Sequence, residues 1–136
     1  MRKPSLRPDA GREGGARPMV AWVEDDPDFK AVVREWLSPR YDLATFDDGE
    51  EFLEEVKELE PDVVMLDVRL PGPDGFDVCR SVRRDARLAS VPILFLTSCK
   101  EDEDFVRHLG VGGTAFLNKP VEKKELLGVL DELTAP

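Results

Sequence analysis

Four short apolar runs in this chain are each followed by residues able to do polar chemistry. Glu24 and Asp25 follow the run at 19–23, Asp67 follows 63–66, Thr97 follows 93–96, and Lys119 stands one residue past 115–117. Three carboxylates brought together repel one another, so they either raise a pKa or recruit a cation. Their donors are oxygen alone, with no His or Cys at metal-ligand spacing, which points to Mg²⁺; Mn²⁺ obeys the same hard-donor logic. Once a cation offsets the charge, Asp67 in the middle of the group can attack phosphorus and form an acyl phosphate. Lys119 would hold the transferring oxygens from the other side, and the Thr97 hydroxyl could donate to a phosphoryl oxygen after transfer.

That chemistry requires the positions to meet, and a parallel sheet would bring them together. From Pro18 onward, short apolar runs alternate with amphipathic stretches, the pattern of βα units in an α/β fold with helices on both faces of the sheet. The runs at 19–23, 63–66, 93–96 and 115–117 are continuous, as expected of strands buried on both faces, whereas 41–46 alternates and reads as an edge strand. In such a sheet the carboxyl ends of the strands share one edge, and ligands bind in the crevice where strand order reverses.

The helices that cover the sheet are also marked. Phe29, Val32, Val33, Trp36 and Leu37 fall at helical spacing behind an Asp26-Pro27 start. Phe52, Leu53, Val56 and Leu59 predict a second helix, with Asp48 as cap, Glu51 in a capping-box arrangement and Pro61 as the stop. Phe76, Cys79 and Val82 follow the Pro-Gly-Pro-Asp-Gly turn at 71–75, and Leu126, Leu127, Leu130 and Leu133 mark the last helix. A fourth, around Phe105, Val106 and Leu109, has the thinnest apolar stripe and is expected to be the least firmly seated.

Val-Glu-Asp-Asp-Pro at 23–27, Met-Leu-Asp-Val-Arg-Leu-Pro-Gly at 65–72, Leu-Thr-Ser at 96–98 and Phe-Leu-Asn-Lys-Pro at 116–120 resemble, in letters and spacing, the receiver domain of bacterial two-component response regulators. The resemblance spans about residues 18–134. It implies a flavodoxin-like, doubly wound five-stranded parallel sheet of order 2-1-3-4-5 with five helices. It implies Asp25 as the direct Mg²⁺ ligand, Glu24 acting largely through water, Asp67 as phosphoacceptor and ligand, and the Arg69 backbone carbonyl as a further ligand. Thr97 would be the switch hydroxyl, Ser98 would join it at the phosphoryl group, Lys119 would be the phosphate-binding cation, and Phe116 the switch aromatic. The partners implied are a sensor histidine kinase or phosphotransfer protein, and a downstream protein that reads the surface of the fourth helix, fifth strand and last helix. The Lys119-Pro120 bond is expected to be cis on the same ground. Two positions depart from the family pattern: Phe116 stands where Tyr is often found, and Val121 where an aromatic is common.

Bulk properties narrow the alternatives. At 136 residues the chain suits one domain, read as a receiver domain at 18–136 behind a disordered Gly-, Pro- and Arg-rich arm at 1–17. The arm holds five Lys/Arg and two Asp/Glu, leaving 14 against 27 in the remainder. A body this acidic repels nucleic-acid phosphates and favours cations and basic protein surfaces. No apolar run reaches the roughly 18 residues of a membrane span and no secretory leader is evident, so a cytoplasmic protein is expected. Cys79 and Cys99 read as reduced apolar residues, His108 as a solvated helix position, and Arg80, Arg83, Arg84 and Arg87 as a solvated basic face.

Two competing functions remain. A Mg²⁺-dependent phosphatase working through an aspartyl phosphate would want an acid two residues after the nucleophile, where Arg69 stands. A phosphorylation-independent scaffold would have no use for the full set of acids, Thr97 and Lys119. The expectation is therefore a phosphoacceptor that dephosphorylates slowly rather than an enzyme with turnover. Past the last helix the sequence carries no output region, which leaves a stand-alone receiver and a piece of a longer protein equally open.

Overall fold

The computed structural model describes residues 17–98, 101 and 115–136. Residues 1–16 of the arm expected at 1–17, Cys99, His108 and the helix expected around Phe105, Val106 and Leu109 lie outside them. In chain order the described elements are β1 (Met19–Val23), α1 (Pro27–Leu37), β2 (Asp42–Phe46), α2 (Gly49–Leu59), β3 (Val63–Asp67), α3 (Gly75–Arg84), β4 (Ile93–Thr97), β5 (Ala115–Asn118) and α4 (Lys123–Leu133). The five strands form one parallel sheet of order β2-β1-β3-β4-β5. This is the flavodoxin-like order, and β1 and β3 flank the point at which the order reverses.

Side chains alternate across the strands, so each strand feeds two cores. Ala21, Val23, Val64, Leu66, Ile93 and Phe95 pack beneath α2 and α3 with Phe52, Val56, Val78 and Val82. Val20, Trp22, Val63, Met65, Leu94 and Leu96 pack on the other face with Val33 and Leu37 of α1 and Leu126 and Leu130 of α4. Strands β1, β3 and β4 are buried along their whole length, as continuous apolar runs should be. Each fully buried Leu, Ile or Phe contributes about 2 kcal/mol by leaving water. β2 lies at an edge and is half-buried until Phe46. β5 departs from the expectation of burial on both faces: Ala115 and Phe116 are only half-buried and Leu117 alone is fully covered. As the outermost strand it has a neighbour on one side only.

The helix starts follow local chemistry. The Asp26 carboxylate accepts the N–H groups of Asp28 (2.9 Å) and Phe29 (3.3 Å) ahead of Pro27. Asp48 accepts the Glu51 N–H at 2.9 Å, but the Glu51 carboxylate takes the N–H of Asp47 (3.2 Å) rather than that of Asp48. The expected capping box is thus closed one residue further out. A complete box stands instead at α3, where Asp74 and Asp77 each accept the other's main-chain N–H. Ahead of Pro61, α2 ends on Glu60 in the left-handed region at φ +52. Arg17 donates to the carbonyls of Ser38 (2.7 Å) and Pro39 (3.2 Å) just past α1. The Tyr41 hydroxyl donates to Asp131, tying the start of β2 to α4. Among the described residues no helix is long and apolar enough to cross a membrane.

Candidate functional site

Strands β1, β3, β4 and β5 all deliver a polar group to the same edge of the sheet. Glu24 follows β1 directly and is 1% exposed, its N–H bonded to the carbonyl of Phe46 at 2.9 Å. Asp67 is the last residue of β3 and is also buried. Thr97 ends β4 with its side chain buried, and its carbonyl accepts the N–H of Lys119 at 2.8 Å. That last bond extends the β4–β5 ladder by one step and fixes where the Lys119 side chain begins.

The Lys119 ammonium donates to Asp67 Oδ2 at 2.7 Å and to Glu24 Oε1 at 3.2 Å. It also lies 5.0 Å from the ring centroid of Phe29, close enough for a cation–π attraction. The remaining carboxylate oxygens are taken by the main chain: Asp67 Oδ1 accepts the Arg69 N–H at 3.1 Å and Glu24 Oε2 the Asp26 N–H at 3.1 Å. Both acids are therefore held in place from two sides.

Burial raises the pKa of Glu24 above the ordinary carboxylate range, and the neighbouring Asp67 charge adds to this; the Asp26 N–H and Lys119 oppose it without cancelling it. Burial works to lower the pKa of Lys119. Its hydrogen bonds and charge attraction to Asp67 and Glu24 outweigh that, and the ammonium is held above its ordinary value. The crevice thus holds two acids against one firmly retained cation, an acidic excess that a small hard cation could relieve.

Of the other expected site residues, Asp25 and Ser98 are exposed. Among the described residues, no three acids, His or Cys are grouped so as to hold a metal ion. The donor set still suits Mg²⁺, which binds through one or two carboxylates and keeps several waters and phosphate oxygens. Arg69 is exposed and presents its N–H to Asp67. Phe116 is half-buried and stacked on Phe95, with centroids 6.0 Å apart and planes at 22°. The Lys119–Pro120 bond is cis.

Two contributors went unread in the sequence. The helical spacing places Phe29 on the apolar face of α1, yet it touches both Lys119 and, edge-on at 5.5 Å, Trp22. Gly75 reads as a turn residue in the sequence, but a Cβ there would lie 2.4 Å from the Asp67 carbonyl oxygen and 2.8 Å from Val68 Cα. Its N–H bonds Val68 O at 2.9 Å, so α3 begins pressed against the end of β3. The signal available was a glycine immediately behind an Asp cap, where side chains are ordinarily welcome.

A doubly wound parallel sheet with an acid–lysine crevice at its switch point has polar groups where folds of this class bind ligands. The family model of the response regulator receiver domain matches residues 20–131, and the chain belongs to that family. It is 38% identical over 112 residues to the DNA-binding response regulator MtrA of Mycolicibacterium smegmatis, covering 82% of this chain and 48% of that protein. It is 35% identical over 111 residues to the DNA-binding dual master transcriptional regulator RpaA of Synechocystis, covering 81% and 46%. The chain spans about half the length of the curated relatives it matches. Among solved structures, Vibrio cholerae chemotaxis protein CheY4 superposes with a TM-score of 0.80 at 30% identity, covering 87% of this chain and 99% of that one. The receiver domain of sensor histidine kinase PA1611 of Pseudomonas aeruginosa, which holds a magnesium ion in its active site cleft, gives 0.80 at 28%, covering 89% and 100%.

Proposed function

We propose that this domain is a phosphorylation switch in which a histidine kinase or phosphotransfer protein donates a phosphoryl group to Asp67. The observation that carries the reading is the half-buried Lys119 ammonium, bonded at once to Asp67 (2.7 Å) and Glu24 (3.2 Å). Structural support for an acceptor carboxylate needs a cation on one oxygen and a fixed orientation on the other, and Asp67 has both. In the transfer, one Asp67 oxygen forms a bond to phosphorus while the donor's P–N bond breaks, its electron pair leaving with the imidazole nitrogen. Bound beside Glu24 and Asp67, with Asp25 and the Arg69 carbonyl as further donors, Mg²⁺ would neutralise charge on the phosphoryl oxygens. Lys119 moves from the carboxylate to a phosphoryl oxygen, and the Thr97 hydroxyl, with Ser98 beside it, donates to another.

Pulling Thr97 inward changes the end of β4 and the packing under Phe116, and a partner reads that surface only through a difference in affinity for the two states. Two residues after Asp67 stands Arg69, whose guanidinium does not give up a proton at neutral pH and cannot serve as acid or base, so dephosphorylation is slow and multiple turnover on phosphate esters is not expected.

Beryllofluoride with Mg²⁺ stands in for the phosphoryl group and tests the reading directly. Wild type should bind it saturably, with amide shifts around Asp67, Thr97 and Lys119, and Asp67→Asn should give none. Equal responses from the two proteins, or none from wild type, would turn the reading toward a phosphorylation-independent scaffold.

A further inference from the structure

The basic residues of α3 and the turn after it do not form one solvated face. Arg80 pairs with Asp77 at 3.2 Å, Arg83 donates to the carbonyls of Leu88 (3.2 Å) and Val91 (2.6 Å), and Arg87 lies 3.6 Å from Asp85. Arg84 is different. Neither it nor Lys57 in the last turn of α2 makes an ion pair or side-chain hydrogen bond with any described residue, and both are exposed.

These two cations border the same recess, a cavity of about 380 Å³ between α2 and α3 with Leu53, Val56, Val82 and Leu88 among its lining residues. A second recess of about 330 Å³ shares Lys57 and Leu88 with the first and continues to Glu60, which already has a partner, Pro61 and Arg87, so the depression is elongated. The Asp85 carboxylate, which also borders it, already accepts the Arg87 N–H at 2.9 Å. Because helices run antiparallel to the strands they follow, the last turns of α2 and α3 lie at the opposite end of the sheet from Asp67.

We propose that this groove is a docking site for an acidic, amphipathic peptide segment of a partner protein. Apolar side chains would enter between Val56 and Val82, and carboxylates would meet Lys57 and Arg84. Charge complementarity selects that occupant. On a chain of net charge −10 the whole-molecule field opposes anions in proportion to their charge, so it excludes a long polyphosphate strand, while a short segment with one or two carboxylates can still be held by the two cations flanking the apolar floor. A small inorganic anion would want donors converging on one point, whereas these stand on different elements with apolar surface between them. The length of the double recess suits a segment of a few residues laid along the groove.

The test is selection from a phage-displayed library of random 12-residue peptides on the full chain, followed by amide-shift mapping with a selected synthetic peptide. Expected are sequences with Asp or Glu flanking Leu or Phe, and shifts centred on residues 53–57 and 81–88. Lys57→Glu with Arg84→Glu should weaken affinity at least tenfold, while Lys123→Glu with Lys124→Glu on α4 leaves it within about twofold. The proposal is overturned by no enrichment above background, by neutral or basic consensus sequences, by equal binding to the double variant, or by shifts centred on Asp67 and Lys119. It is overturned too if sedimentation shows a self-associated chain that the double variant dissociates, since a second copy would then be the occupant. None of these outcomes depends on beryllofluoride binding, so this idea and the phosphorylation switch fail separately.

Discussion

The two ends of the sheet treat positive charge in opposite ways. At the carboxyl-terminal edge, Lys119 is saturated by Asp67 and Glu24 and rests against Phe29. At the other end, Lys57 and Arg84 stand beside an apolar groove with no ion pair to any described residue. A cation already neutralised inside the fold is part of its stability, and an incoming group must compete for it. A cation left without a partner adds little to folding and keeps its interaction free for another molecule.

The strongest way to break the carboxyl-terminal edge is to disturb its floor. Gly75→Ala puts a methyl group 2.4 Å from the Asp67 carbonyl oxygen, where backbone on both sides cannot yield. Overpacking of this kind should cost about 3 kcal/mol in chemical denaturation and reduce beryllofluoride affinity by displacing Asp67. Gly128→Ala is the control: nothing lies within 4 Å of a Cβ there, so replacing a mid-helix glycine in α4 should stabilise by about 0.5–1 kcal/mol. Similar losses for both would show that the floor is looser than the contact distance implies.

A smaller effect, aimed at the contrast itself, comes from neutralising one lysine at each end. Lys119→Met leaves Glu24 and Asp67 facing each other without a cation. Because the Lys119 side chain is 23% exposed, solvent moderates the loss, and about 1–2 kcal/mol is expected in metal-free buffer. Lys57→Met should change stability by less than about 0.5 kcal/mol. If the two variants melt together, the distinction between a saturated and a free cation has no energetic content.

How far this arrangement was legible depends on which physical rule set each residue. The strand ends could be read because a continuous apolar run must be buried and the first polar residue after it marks where burial stops, as at Glu24, Asp67 and Thr97. Asp25 could not be separated from Glu24 in this way. Adjacent residues leave a strand on different sides, so Glu24 is buried while Asp25 is exposed, and letters alone do not say which is which. The contact of Phe29 with Lys119 and the pressure of Gly75 on Asp67 join residues 90 and eight positions apart, and only the approach of elements reveals them. At β5 the run 115–117 looked like a central strand because apolar content reports the hydrophobicity of a strand and not the number of its neighbours. The exchange of Asp48 for Asp47 in the α2 cap is a choice between adjacent N–H groups of equal chemistry.

The smallest effect is invisible at neutral pH and concerns the joint between β2 and α4. Tyr41 is the sole tyrosine, and burial together with its bond to Asp131 raises its pKa from 10.0 to about 12. A phenol whose native pKa lies above its unfolded value keeps its full contribution to stability below pH 10. Between about pH 10 and 12 the unfolded chain loses the proton first, and the native state is disfavoured progressively. Tyrosinate absorbance of the folded protein should therefore rise near pH 12 rather than 10. Wild type and Tyr41→Phe should show parallel stability curves below pH 10, after which wild type falls more steeply. A native phenol that titrates at its ordinary value, or two curves that stay parallel to pH 12, would mean that the Tyr41–Asp131 bond opens freely to solvent and does not hold the edge strand to the last helix.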